Sequence, residues 1–276
     1  MNRVARVCRI FGKAVSNLRF GMSAVPLLLY FLFKLCLISL YVSGGARLPD
    51  RLWTLLEPGM NAEALTHYPQ RLLLMPAVLG RLDIPLDMLV LIIAQGATVL
   101  LVAGIMRRER IGLRASFEGA GRRYLHLVIA AAIASSALFV GFRYPAMLLG
   151  RIPGMPHGLE ALVSALIAVV IETFFLYAIP FILIEGRSAL GAIGRSFGFA
   201  LRHFIESFFL VLVPFLLTVP TMMLSLNPQT IASHISPEFL VQVQIAGELM
   251  QFIATYILVG GLTIYFIETR TAGEER

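Results

Sequence analysis

Charge is what this chain has least of. Only 14% of its 276 residues are Asp, Glu, Lys or Arg, against about a quarter in soluble domains, and that excludes a solvated globular surface. Cysteine is nearly absent: Cys8 lies in a basic N-terminal arm and Cys36 in the middle of the first hydrophobic span, so no disulfide is expected. Three of the five histidines, His67, His157 and His234, fall in three different loops without HxH or HxxxH spacing, so no metal site is expected. There is no P-loop, no dinucleotide-binding glycine motif after a strand, no nucleophile elbow and no HExxH. Catalysis and cofactors are therefore not expected, although an intramembrane enzyme need not carry a soluble enzyme's motif.

What the chain has is length of apolar sequence. Hydrophobic residues make up 58%, and mean hydropathy is +0.82. Six segments reach the ~20 residues needed to cross a bilayer: 22–43, 86–106, 124–149, 159–185, 204–226 and 240–267. The expected fold is all-α, a polytopic membrane protein forming one transmembrane domain over 1–276. Its arms lie at 1–21, 107–123 and 186–203, its tail at 268–276, and a long outer loop at 44–85. The N-terminal stretch does not read as a cleavable signal, because charge persists to Arg19 before the long first span.

Basic residues set the orientation. Five precede the first span, six lie between the second and third, three follow the fourth and two end the chain, sixteen in all; the opposite side holds Arg47, Arg51, Arg71, Arg81 and Arg151. Both termini are thus expected in the cytoplasm of a bacterium, with the protein in the inner membrane. In a soluble protein a net charge of +7 would point to nucleic acid; here the topology accounts for it and no nucleic-acid partner is expected. The three arms, RVCRIFGKAVSNLRFGMS, LRASFEGAGRRYLHLV and GRSALGAIGRSFGFALRHF, each run directly into a span, which reads either as a threefold arm-and-hairpin repeat or as chance likeness among basic, glycine-rich segments.

The stretch from Ala168 to Ser207 organises the rest. It crosses the membrane, kinks at Pro180, leaves at Glu185-Gly186-Arg187 and becomes an amphipathic helix. Advancing about 100° per residue from Arg187, Leu190, Ile193, Phe197, Leu201 and Phe204 fall at about 240–320°, while Arg195 and Arg202 fall at about 60–80°. Two readings stand: an interfacial linker held by headgroups, or an arm docked under the bundle through Gly191, Gly194 and Gly198. The pattern from Pro180 through Glu185, Gly186, Arg187, Arg195, Ser196 and Phe197 resembles the signature of a bacterial inner-membrane family of unknown function. That family shares its fold with the membrane domain of glycerophosphoryl diester phosphodiesterases. The resemblance covers about forty residues; it implies a six-helix membrane domain and brings no activity with it.

In the outer loop, 44–85, short helices are expected at 49–57, 61–66 and 69–82, with Asn61 as a cap and Trp53 and Tyr68 in the headgroup belt. The run Leu72–Leu79 is too short to span and too apolar for water, so it should lie flat in the outer leaflet or cap the bundle.

Four ionisable residues stand inside the spans: Lys34, Arg143, Glu172 and Glu248. Each costs about 2.5–3.5 kcal/mol at the centre of an isolated helix, so each should face inward and find a partner. Matching depth along the helices pairs Lys34 with Glu172 near the midplane and Arg143 with Glu248 in the outer third. The charges are either ion bridges that fix register or a proton or substrate path. Three functional classes follow: a lipid-associated envelope module or accessory subunit with a protein partner or a second copy of itself, a small transporter using Glu172 and Glu248, or an intramembrane enzyme acting on lipid headgroups.

Overall fold

The computed structural model describes residues 3–18, 21–43, 68–149, 157–225 and 227–274; every described element is helical. Six helices are long and apolar enough to cross a membrane: Met22–Ser43, Gln70–Arg107, Tyr124–Pro145, Leu162–Leu183, Phe204–Ser225 and Phe239–Thr271. The chain is a multi-pass, all-α membrane protein. Most of the outer loop, including Trp53 and Asn61, lies outside the described residues.

The bundle is built around its last helix. We number the helices α1 (Arg3–Leu18), α2 (Val25–Ser43), α3 (Gln70–Leu86), α4 (Ile92–Arg107), α5 (Leu113–Arg122), α6 (Tyr124–Leu149), α7 (His157–Phe175), α8 (Ala178–Leu183), α9 (Ala189–Arg202), α10 (Phe204–Ser225), α11 (Pro228–His234) and α12 (Phe239–Glu274). Helix α12 packs against α1, α2, α3, α4, α10 and α11. Its 36 residues extend about 54 Å, well beyond a ~30 Å hydrocarbon layer. Its C-terminal turns, with Glu268 and Arg270, project at the end where the arms gather, here called the arm face.

The N-terminal arm stands against this projection. Arg6 donates to Thr269 Oγ1 at 3.4 Å, Arg9 and Lys13 pair with Glu268 at 3.4 and 2.5 Å, and Ala14 lies against Gly260. Residues advancing along α1 meet residues receding along α12, so the two run antiparallel. The seam continues through the hydroxyl contact of Ser23 with Tyr256 at 2.8 Å and on to Lys34 and Glu248. Val7, Ile10 and Ala14 are buried in it. The two helices run close at Gly260, where a Cβ would sit in ordinary contact with the Ala14 Cβ at 3.4 Å.

One helix boundary lies far from the expectation. The second span begins at Gln70, not near residue 86: α3 passes through one π-helical turn, Asp87–Leu91, into α4 without interruption. Pro76 and Pro85 each remove a backbone donor, yet neither ends the helix. Met75, Val78 and Leu79 are buried with Ile38, Tyr41, Ile231, Leu240 and Val243. The Leu72–Leu79 run is therefore the first part of the second span, packed into the bundle, and neither a flat segment in the leaflet nor a separate cap. At this distal end the Tyr68 hydroxyl donates to Glu238 Oε1 at 2.5 Å, which holds the Glu238 carboxyl below its ordinary range and raises the Tyr68 phenol.

The fourth span breaks where Pro180 forbids continuity. Helix α7 ends at Phe175, Leu176 and Tyr177 form a turn, and α8 begins at Ala178. Gly186 follows at φ 68°, a left-handed turn that glycine adopts without the clash a Cβ brings, and it redirects the chain into α9.

Candidate functional site

Two groups of side chains stand out, one inside the bundle and one at the arm face. The first centres on Lys34. Its ammonium donates to Asp83 Oδ1 of α3 and pairs with Glu248 Oε1 of α12 at 3.1 Å. Gln244 donates to the same Glu248 oxygen at 3.3 Å, one helical turn away. One turn from Lys34, the Tyr30 hydroxyl donates to Asp87 Oδ1 at 2.5 Å. Lys34 lies nine residues from the end of α2 and Glu248 nine from the start of α12, each about 14 Å along its helix, so both sit in one layer. Lys34 is 5% exposed and Glu248 8%, which places both charges in a low-dielectric interior where each requires the other. Beside them Leu27, Tyr30, Phe31, Leu91, Glu248, Gln251, Phe252 and Thr255 line a half-open cleft of about 20 Å³, room for about one water.

This arrangement corrects the pairing expected from depth. Lys34 meets Glu248 and Asp83, not Glu172, and Glu248 meets Lys34, not Arg143. Glu172 is half-buried on α7 and Arg143 exposed on α6; among the described residues neither makes a hydrogen bond or ion pair. The cause is adjacency around the bundle. Helix α2 packs on α12 and α4, whereas α7 packs on α6, α9 and α10, so residues at matching depths face different neighbours. Asp83, Asp87 and Tyr30 are the members that reading for isolated charges in mid-span misses. A signal for them exists: Tyr30 with Lys34, and Asp83 with Asp87, are four residues apart and share a helix face.

The second group uses the segment from Pro180 to Arg202. Ser196 repairs the break made by Pro180: its hydroxyl accepts from the Tyr177 N–H at 3.1 Å and donates to the Phe174 carbonyl at 2.7 Å. The Tyr177 hydroxyl, also buried, shares a hydrogen bond with Ser207 at 2.8 Å. Around it Phe181, Phe199, His203, Tyr265 and Phe266 form a cluster of rings with centroids 4.6–6.3 Å apart.

Helix α9 has three faces where a two-faced helix was expected. Ala189, Ala192, Ser196 and Ala200 are buried against the bundle. Leu190 and Leu201 are strongly exposed, and Phe197 is 37% exposed while stacking on Phe174 at 5.1 Å. Arg195 and Arg202 occupy the third face, exposed. The arm is docked, but not through its glycines: a Cβ at Gly194 or Gly198 would meet nothing within 4 Å. Alanine and serine make the close approach.

At the arm face one carboxylate gathers three guanidiniums. Glu185 lies 2.5 Å from Arg270, 3.0 Å from Arg195 and 3.7 Å from Arg187. Arg270 lies over the rings of Phe181 and Phe266 at 5.3 and 5.6 Å, a placement that suits a cation. Arg195, Arg202 and Arg270, with Phe181, Gly198 and Phe199, line an open cavity of about 300 Å³. Among the described residues no group of three or more His, Cys, Asp or Glu could hold a metal ion.

Comparison with known proteins adds no relative: no family model fits the chain, and neither a curated protein nor a solved structure matches it.

Proposed function

We propose that the chain is a lipid-associated module of a bacterial inner membrane, without catalysis or transport of its own, whose intramembrane charges hold helices in register. The observation that carries this reading is the enclosure of Lys34. Its two counter-charges come from two other helices, and the adjoining cleft has room for about one water. A transport route needs a continuous wet path to the acids. An ion bridge among α2, α3 and α12 needs only their alignment. The aliphatic face and arginine face of α9 suit a helix at the boundary between lipid and water. The excess of basic residues on the arm side supports a cytoplasmic arm face with both termini inside. Likeness of the Pro180–Phe197 pattern to an inner-membrane family favours the same compartment.

The rival is a transporter with Glu248 as coupling acid, and it draws on the imbalance of one lysine against Asp83, Asp87 and Glu248. Purified protein in proteoliposomes with an internal pH dye separates the two. The module reading expects proton flux no greater than in empty vesicles under an imposed potential. Flux abolished by Glu248→Gln establishes the transporter instead.

A further inference from the structure

We propose that the arginine-lined cavity at the arm face is a binding site for a phosphodiester anion, the headgroup phosphate of an anionic phospholipid or the same group on a soluble ester. The charge count comes first. Arg187, Arg195 and Arg270 converge on the single carboxylate of Glu185, and Arg202 stands at the same cavity with no partner among the described residues. The nearest further acid along α12, Glu268, is engaged by Arg9 and Lys13. Three guanidiniums on one carboxylate, with Arg202 lining the same cavity, leave an excess of positive charge, and planar guanidiniums match phosphate oxygens in paired hydrogen bonds.

The site is also built. Rings of Phe181 and Phe266 hold Arg270 from beneath, and Glu185 orients Arg270 and Arg195 side by side. The four lining positions on α9, Arg195, Gly198, Phe199 and Arg202, follow the spacing of one helix face. At Gly198 the face carries no side chain, and a Cβ there would enter open space. At about 300 Å³ the cavity matches the lower end of small-ligand sites. Leu190 and Leu201, both exposed on the same helix, place it beside lipid, so a headgroup reaches it without leaving the leaflet. The lipid source rests on the membrane placement proposed above; the phosphate chemistry does not.

The test is a thermal-shift titration of the full-length protein in zwitterionic detergent. One arm adds dihexanoyl phosphatidylglycerol, the other glycerophosphoglycerol, which carries the same headgroup without acyl chains. Saturable stabilisation is expected, weakened about tenfold by Arg202→Gln and again by Arg195→Gln, the loss expected for one charge-assisted hydrogen-bonded contact each. Arg122→Gln, an exposed arginine on α5 outside the cavity, should bind as the parent does. Because Arg202 has no described partner, its variant should melt with the parent when no ligand is present, so a binding loss cannot be a folding loss. Stabilisation by the lipid alone assigns the headgroup, and equal stabilisation by both ligands assigns a soluble ester. Two results overturn the site: no saturable stabilisation by either ligand, or equal weakening in Arg122→Gln and Arg202→Gln, the mark of diffuse attraction. Neither result alters the proton-flux outcome that tests the module reading.

Discussion

A lysine buried among helices can be satisfied only by acids within reach of one side chain, and at Lys34 two acids are. Removing the ammonium leaves Asp83 and Glu248 facing each other without a counter-charge, a loss that typically costs about 3–5 kcal/mol. Lys34→Met should therefore sharply reduce the yield of monodisperse protein in size-exclusion chromatography. Replacing one acid as well should recover little, because the other still stands unpaired. The triple change Lys34→Met, Asp83→Leu, Glu248→Leu should recover most of the yield. Glu172→Leu should be tolerated, since Glu172 supports no partner among the described residues. A severe defect in Glu172→Leu, or full recovery in Lys34→Met, Glu172→Leu, would show that the register depends on a different pairing.

At the scale of one element, α9 is held by small residues and a single hydroxyl. Ser196 serves two backbone groups freed by the break at Pro180. Ser196→Ala leaves both buried without partners, at about 1–3 kcal/mol each. Ala192, fully buried, has no room for extra volume, and Ala192→Leu should cost about 1–3 kcal/mol. Gly194→Ala, by contrast, should be neutral or slightly stabilising, because a Cβ there meets nothing and helical glycine costs about 1 kcal/mol against alanine. Thermal denaturation of the three variants distinguishes this docking from a glycine-mediated one, in which Gly194→Ala would be the most damaging. The faces of α9 were only partly legible in its sequence. Aliphatic and arginine residues announce themselves at helical spacing, whereas a seam of alanine and serine has no hydrophobic signature and shows only when the opposing helix is in place.

For the whole molecule, the arm face and the distal end are the two sides of the membrane, and single cysteines can tell which is inside. In a background with Cys8→Ser and Cys36→Ser, Glu118→Cys and Ser188→Cys mark the arm face, and Gln229→Cys marks the distal end; all three positions are exposed. Ser116 is unsuitable, being buried with its hydroxyl on the Leu113 carbonyl at 2.6 Å. An impermeant thiol reagent applied to intact spheroplasts should label Gln229→Cys and spare the other two. Labelling of Glu118→Cys from outside would invert the topology.

Composition and spacing alone determined that this is an all-α membrane protein with six crossings, because burial in lipid demands long apolar helices whatever their neighbours are. They also placed the break at Pro180 and the arm that follows, both consequences of local backbone chemistry. Tertiary structure alone decided which charges meet. Depth is written along one helix, but adjacency is set by how the helices pack around each other. Two residues at equal depth are therefore partners only if packing turns their faces together, as it does for Lys34 and Glu248 and does not for Lys34 and Glu172.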